Sequence, residues 1–230
     1  MSCFVVPASA KDKLLDASLS LIRERGFAAT TVDELCARAG VTKGAFFHHF
    51  DSKDALGVAA VAHWSRFASG LFQTDAYRRA PDGWGRVRAY LALRKSLIRG
   101  DLSQFTCVAG TMVQETYASH PALRAACADS IFGHASALAE DFAAAMKERG
   151  VRGPFTAESL AAHTQCVLQG AFILAKARGD GDIAIESIEH LERYVEMLFG
   201  GAPASPSKVR AKSNPHPKRS TRPSKTRRSP

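Results

Sequence analysis

The sequence predicts an all-α protein, and three features carry that prediction. Apolar residues recur three and four positions apart through most of the 230 residues. No run of alternating β-branched residues bounded by turn signals interrupts them. Hydroxyl and carboxylate caps open the periodic runs, and glycines close them. A hydrophobic content of 46% lies in the ordinary globular range, enough for a buried core.

Taken in order, the first helix begins near Lys11, buries a stripe of Leu14, Ala17, Leu21 and Ile22, and ends at Gly26 as a C-cap. Thr31 and Glu34 stand three apart as a capping box, in which hydroxyl and carboxylate each satisfy the other's backbone amide. The helix they open carries Val32, Leu35, Cys36 and Ala39 on one face and stops at Gly40. Thr42 caps a short third helix over 43–49. Phe50-Asp51-Ser52 breaks it, and Ser52 caps a long fourth helix through Leu56, Ala60, Trp64, Phe67 and Leu71. Pro81-Asp82-Gly83 precedes a basic helix over about 84–99. Further helices are predicted at about 105–118, 121–149, 156–178 and 183–199. In the last of these Ala184, Ile188, Leu191, Val195 and Leu198 alternate at spacings of four and three, a seam for another helix. From Gly200 onward the composition is Pro, Ser, Lys and Arg, which cannot bury enough surface to offset chain entropy, so a disordered tail is predicted.

Charge location matters more than the net +9. Nine basic residues and no acidic ones lie beyond Pro203, leaving 22 of each sign in the rest of the chain. The tail thus accounts for the basic balance, and the folded part gains no argument for nucleic-acid binding from it. Within that part the sequence 78–99 holds seven basic residues and one acid, whereas 100–199 holds seven basic and thirteen acidic. The five cysteines (Cys3, Cys36, Cys107, Cys127 and Cys166) form no CxxC pair, which points to reduced thiols rather than a disulfide framework or zinc site. No apolar run approaches the ~18–20 residues of a membrane span, and the patch at 3–6 is too short for a signal-peptide core. A cytoplasmic protein without membrane association is expected. No Ser-His-Asp, HExxH, phosphate-loop or dinucleotide pattern is present, and His120, His134, His163 and His190 lack metal-ligand spacing. Neither catalysis nor a cofactor nor a metal is predicted.

The informative stretch is 31–50: a capped helix, a tight turn containing Gly40, and a second short helix. This is the helix-turn-helix arrangement, whose second helix enters the major groove of DNA. Lys43 at the start of that helix is placed to neutralise a phosphate, His48 and His49 add donors, and nothing from Val41 to Phe50 apart from these carries charge of either sign. An ordinary helical hairpin in a bundle would show the same caps.

Gly26-Phe27-Ala28-Ala29-Thr30-Thr31-Val32, Ala39-Gly40-Val41-Thr42-Lys43-Gly44, and Phe46-Phe47-His48-His49-Phe50 followed by Ser52-Lys53 and Leu56 resemble the DNA-binding head of the tetracycline-repressor (TetR) family. The resemblance is specific over about 10–67. It implies a head over 8–68 with its motif at 31–50, a helical effector-binding and dimerisation body over 69–199, and the tail over 200–230. It further implies DNA contacts from Thr31, Thr42, Lys43, Gly44, Phe47, His48, His49 and Lys53, with Ala45 and Phe46 close to base edges. Leu35, Cys36, Val41 and Phe50 are expected to fix the angle between helices. Relatives usually carry tyrosine where this chain has Phe47, so a phosphate hydrogen bond from that side chain is lost.

In the body, the resemblance implies that the last two helices pair with their mates in a homodimer. Ile188, Leu191, Val195 and Leu198 with the small pair Gly170-Ala171 are the expected interface; packing on the protomer's own core is the other reading of the same seam. Phe105, Met112, Tyr117, Phe132, Gln165, Gln169 and Phe172 lie on stretches expected to face the interior and are candidate contacts for an unknown small-molecule effector, or plain core. Cys107 opens a helix, where the dipole favours a thiolate. Some electrophile-sensing members of the family look similar there, making Cys107 a candidate reporter of oxidants or reactive carbonyls near a lysine such as Lys176. The expected function is a repressor of transcription released from a palindromic double-stranded operator by its effector. The alternative is a non-sensing DNA-organising protein held largely by its basic tail.

Overall fold

The computed structural model describes residues 9–72, 77 and 79–200, and every regular element among them is helical. The basic tail lies outside the described residues. In order the helices are α1 (Ala10–Arg25), α2 (Val32–Ala39), α3 (Lys43–His49), α4 (Lys53–Leu71), α5 (Gly83–Ser96), α6 (Leu102–Phe105), α7 (Val108–Thr116), α8 (Pro121–Arg149), α9 (Ala157–Arg178) and α10 (Asp182–Leu198). None of the described helices is long and apolar enough to cross a membrane.

Local chemistry sets these boundaries. Ser9 and Asp12 cap α1 reciprocally. Thr31 and Glu34 do the same for α2, which Gly40 ends in the left-handed region at φ 64°. The Thr42 and Ser52 hydroxyls each accept from the backbone amide three residues on, at 3.1 Å, and so open α3 and α4. Asp82 caps α5, Pro121 starts α8, and Gly150 and Gly179 end α8 and α9 with positive φ. One expected helix, over 105–118, is instead two. Thr106 and Cys107 are extended between α6 and α7, and the Cys107 thiol is the N-cap of α7, accepting from the Gly110 amide at 3.3 Å. An N-cap residue sits outside helical geometry, so a helix cannot run through Cys107 while it caps.

Helix α8 is the spine, with α4, α5, α7 and α9 all packed on it. One apolar cluster joins Leu14, Leu21, Ile22, Leu35, Phe46, Leu56 and Val61 to Val108, Ala109, Met112, Leu123 and Cys127. The other holds Val87, Tyr90, Leu91, Leu138, Phe142, Leu160, Leu168, Phe172, Ile188, Leu191 and Val195. Each of the larger of these side chains contributes about 1.5–3 kcal/mol on burial.

The second cluster corrects the expected dimer seam. Ile188, Leu191 and Val195 are 1–2% exposed inside the protomer's own core, Ala171 is buried with them, and Leu198 packs against it half-buried. They face inward, and periodicity could not have told this, because a seam looks the same whichever helix covers it. The outward faces of α9 and α10 instead present Cys166, Ile173, Leu174, Tyr194 and Met197, with Gly170 partly open beside them.

Candidate nucleic-acid interface and internal cavity

Helices α1 and α2 form the platform on which α3 is held. Arg38 on α2 grips Glu24 on α1 with both guanidinium nitrogens at 3.0 Å, while Ser20 donates to the same carboxylate at 2.6 Å. The Arg38 and Ser20 hydrogen bonds bring Glu24 down to about 2. Phe46, with no exposed surface, is the knob that fixes α3 to this platform, edge-on to Phe47 at 5.1 Å and tilted against Phe50 at 5.9 Å.

The outer face of α3 is left with Thr42, Lys43, Gly44, Phe47 and His48 exposed, and Ala45 and His49 half-buried. Phe47 is 55% exposed, although it is a large apolar ring. Lys43 rests on Asp33 at 2.7 Å, and that hydrogen bond raises its pKa. Both partners are well exposed, so the pair opens at little cost. A Cβ at Gly44 would meet only the Thr42 hydroxyl at 3.7 Å, so the fold itself does not require glycine there.

Three expected contact residues have side chains already engaged within the fold. Phe46 is core and has no surface to offer a base edge. Lys53 directs its ammonium at the carbonyl oxygens of Phe27, Thr30 and Ala28 (3.1, 3.0 and 3.4 Å) and sits 4.5 Å above the Phe27 ring. Its three donors are thereby used in clasping the α1–α2 turn to the start of α4. The Thr31 hydroxyl donates to the Glu34 carboxylate at 2.8 Å, so its proton serves the cap. Lysine near a helix start reads from sequence as a phosphate ligand, and the carbonyls that meet this one come from the folded turn at 27–30.

Behind the head, α4, α5, α8 and α9 enclose a cavity of about 400 Å³. Helix α4 supplies Trp64, Phe67 and Leu71, with Phe72 just past its end; α5 supplies Tyr90 and Arg94; and His134 comes from α8. Of the expected effector contacts, Phe105, Cys107, Gln165, Gln169 and Phe172 line it. Three others do not. Met112 is wholly buried in the cluster joining head to body, and Tyr117 and Phe132 point outward, 61% and 63% exposed. Sequence reading missed Trp64, Tyr90, Arg94 and His134 because they look like ordinary members of an amphipathic stripe. A second cleft, between the end of α1 and the segments 100–103 and 179–181, is lined instead by charged side chains including Arg23, Glu115 and Lys176.

The polar groups inside the cavity are mostly spent on one another. Gln165 Nε2 donates to the Tyr90 hydroxyl at 3.1 Å, and that hydroxyl is 2.9 Å from His134 Nε2. Burial, with the nearby Arg94 charge, pulls His134 down to about 4, so its imidazole is neutral. Lys176 lies near enough to Cys107 to interact with it electrostatically, while its ammonium donates to the Thr111 hydroxyl at 2.7 Å and burial lowers its pKa. Cys127, by contrast, is pushed up to about 12 by burial and is an unreactive core thiol. Head and cavity wall also meet directly, where Arg23 of α1 donates to the Gln104 carbonyl at 3.1 Å and lies 5.2 Å over Trp64.

Residues 14–60 match the family model of bacterial regulatory proteins of the tetR family, and residues 85–186 match the C-terminal domain of LmrA/YxaF-like transcriptional regulators. The chain belongs to the TetR family. Among its relatives, the uncharacterized HTH-type transcriptional regulator YerO of Bacillus subtilis is 41% identical over 54 residues, 24% of this chain and 19% of that protein. The HTH-type transcriptional repressor KstR2 of Mycolicibacterium smegmatis is 40% identical over 67 residues, 29% of this chain and 33% of that protein. The match therefore spans a third or less of these relatives' length. In three dimensions, the TetR regulatory protein from Rhodobacter sphaeroides superposes with a TM-score of 0.72 at 22% identity, over 81% of this chain and 99% of that one. The TetR-family fold thus extends through the body, where the sequences have drifted apart.

Proposed function

We propose that this TetR-family protein is a dimeric, sequence-specific DNA-binding regulator, a repressor released from a palindromic operator by a small molecule in the cavity. The observation that carries the reading is the double duty of α4. Its first half packs Leu56, Ala60 and Val61 into the core that holds α3, and its second half forms a cavity wall with Trp64, Phe67 and Leu71, continued by Phe72 at its C-cap. A ligand that prefers one placement of this wall moves the head with it, and only as far as its preference between the two placements allows. On this reading Thr42, Lys43, Gly44, Phe47, His48 and His49 face the duplex, Gly44 letting its backbone approach closely.

Two heads are needed for half-sites ~34–36 Å apart. The outward faces of α9 and α10, with Ile173, Leu174, Tyr194 and Met197 between 38% and 66% exposed, support pairing there. Acting on DNA without membrane association, the protein is assigned to the cytoplasm. Selecting bound duplexes from a random pool tests the proposal. A recovered palindrome, and its displacement by members of a small-molecule panel, are the expected results. Salt-sensitive binding with no preferred sequence would replace it with a DNA-organising role.

A further inference from the structure

Helix α5 carries three cations toward the interior side of the molecule, and they are not treated alike. Arg86 is paired with Asp141, and Lys95 with Glu192 at 2.6 Å. Arg94, half-buried in the cavity wall, has no hydrogen bond or ion pair among the described residues. Its neighbours are aromatic faces: Phe72 at 5.6 Å, Tyr90 and Phe172 at 5.9 Å. Those rings hold the charge in place, but they leave the guanidinium's five N–H donors without an acceptor among the described residues. The acidic residue lining the cavity, Asp129, is exposed to solvent, and His134 is neutral.

A guanidinium held half out of water among aromatic rings favours an anionic partner, which supplies the charge-assisted hydrogen bonds that the rings cannot. Tyr90, His134 and Gln165 already satisfy one another, and Arg94 is the half-buried cation of the chamber with no hydrogen bond or ion pair among the described residues. Its planar fork matches a carboxylate in two parallel hydrogen bonds. Around it, Phe72, Tyr90 and Phe172 offer ring faces for an apolar body, and about 400 Å³ falls in the range of small-molecule sites.

We propose that the cavity selects a monocarboxylate with an apolar, ring-bearing or extended hydrocarbon body, and that Arg94 reads the carboxylate. The proposal rests on the regulatory reading only for its consequence on DNA, since the binding preference stands or falls alone. The test is calorimetric titration of the full-length protein with naphthoic, biphenylcarboxylic and decanoic acids, each against its own primary amide, which keeps the shape and removes the charge. At least one acid should bind about ten- to a hundredfold tighter than its amide, the worth of a charge-assisted pair. Arg94→Gln should collapse that ratio toward one while leaving amide binding in place. Equal binding of acid and amide by the unaltered protein, no binding of any of the acids, or a ratio that survives Arg94→Gln overturns the proposal. The unaltered protein needs no mutation to give the first two results, so a misfolded variant cannot obscure the outcome. Adding the same acids to the protein–operator complex separates the two readings: an acid that binds through Arg94 without releasing DNA refutes effector control and leaves the cavity's selectivity standing.

Discussion

Replacing Lys53 with methionine tests whether this residue holds the head together or touches DNA. Methionine keeps the length of the stem and removes the ammonium, leaving the Phe27 and Thr30 carbonyls, both part-buried, without their donor. A hydrogen bond from a charged donor is worth about 1.5–3 kcal/mol, and the ring contact with Phe27 adds about 0.5–1 kcal/mol. Water can return to the exposed Ala28 carbonyl and in part to the other two, so the net loss should be about 2 kcal/mol. In a protein of this size that lowers Tm by about 4–8 °C. Operator binding should weaken only through the loosened head, and the slope of log Kd against log salt should be unchanged, because no phosphate contact is lost. Thermal unfolding and fluorescence anisotropy at four salt concentrations measure both quantities. An unchanged Tm with a salt slope smaller by about one would mean that Lys53 neutralises a phosphate, and the clasp would be wrong.

Adjacent rings should behave oppositely. Phe46→Ala should cost about 3–5 kcal/mol in urea unfolding, whereas Phe47→Ala should leave stability within about 0.5 kcal/mol and weaken operator binding. His134 gives a pH signature. Above pH 6.5 the imidazole is neutral whether or not the chain is folded, and between 6.5 and about 4 only the unfolded chain takes up the proton. Stability should therefore fall by about 3 kcal/mol across that window from this group, and His134→Gln should remove that part of the loss. Charge placed on the outward face, as Ile173→Asp with Met197→Asp, should yield monomers by sedimentation without lowering helical content; a dimer that persists would move the interface elsewhere.

Much of this architecture was legible because its punctuation is local. Ser52, Thr31, Thr42, Gly26 and Gly40 act on backbone groups within four residues of themselves, so their chemistry can be read from the chain alone. The break at Thr106-Cys107 was hidden because cysteine is an uncommon cap and the apolar spacing continues across it. The cavity was half legible: Phe105, Gln165 and Gln169 lie on it, yet Arg94 was counted only as part of a basic helix. Whether a cation on such a helix meets an acid, as Arg86 meets Asp141, or only rings depends on residues 22 to 78 positions away. The inward turn of Ile188, Leu191 and Val195 was ambiguous for the same reason, since a stripe specifies that it will be covered and not by what.

The apolar cluster under α3 borrows Val108, Ala109, Met112, Leu123 and Cys127 from far along the chain. Cutting the polypeptide after residue 68 would therefore strip the reading head of part of its own floor and expose Leu14, Leu56 and Val61 to water. Anyone grafting this head onto a foreign sensor would have to transplant α7 and the opening turns of α8 with it, or redesign the underside as a surface. Modularity in the genetic sense and autonomy in the folding sense part company here.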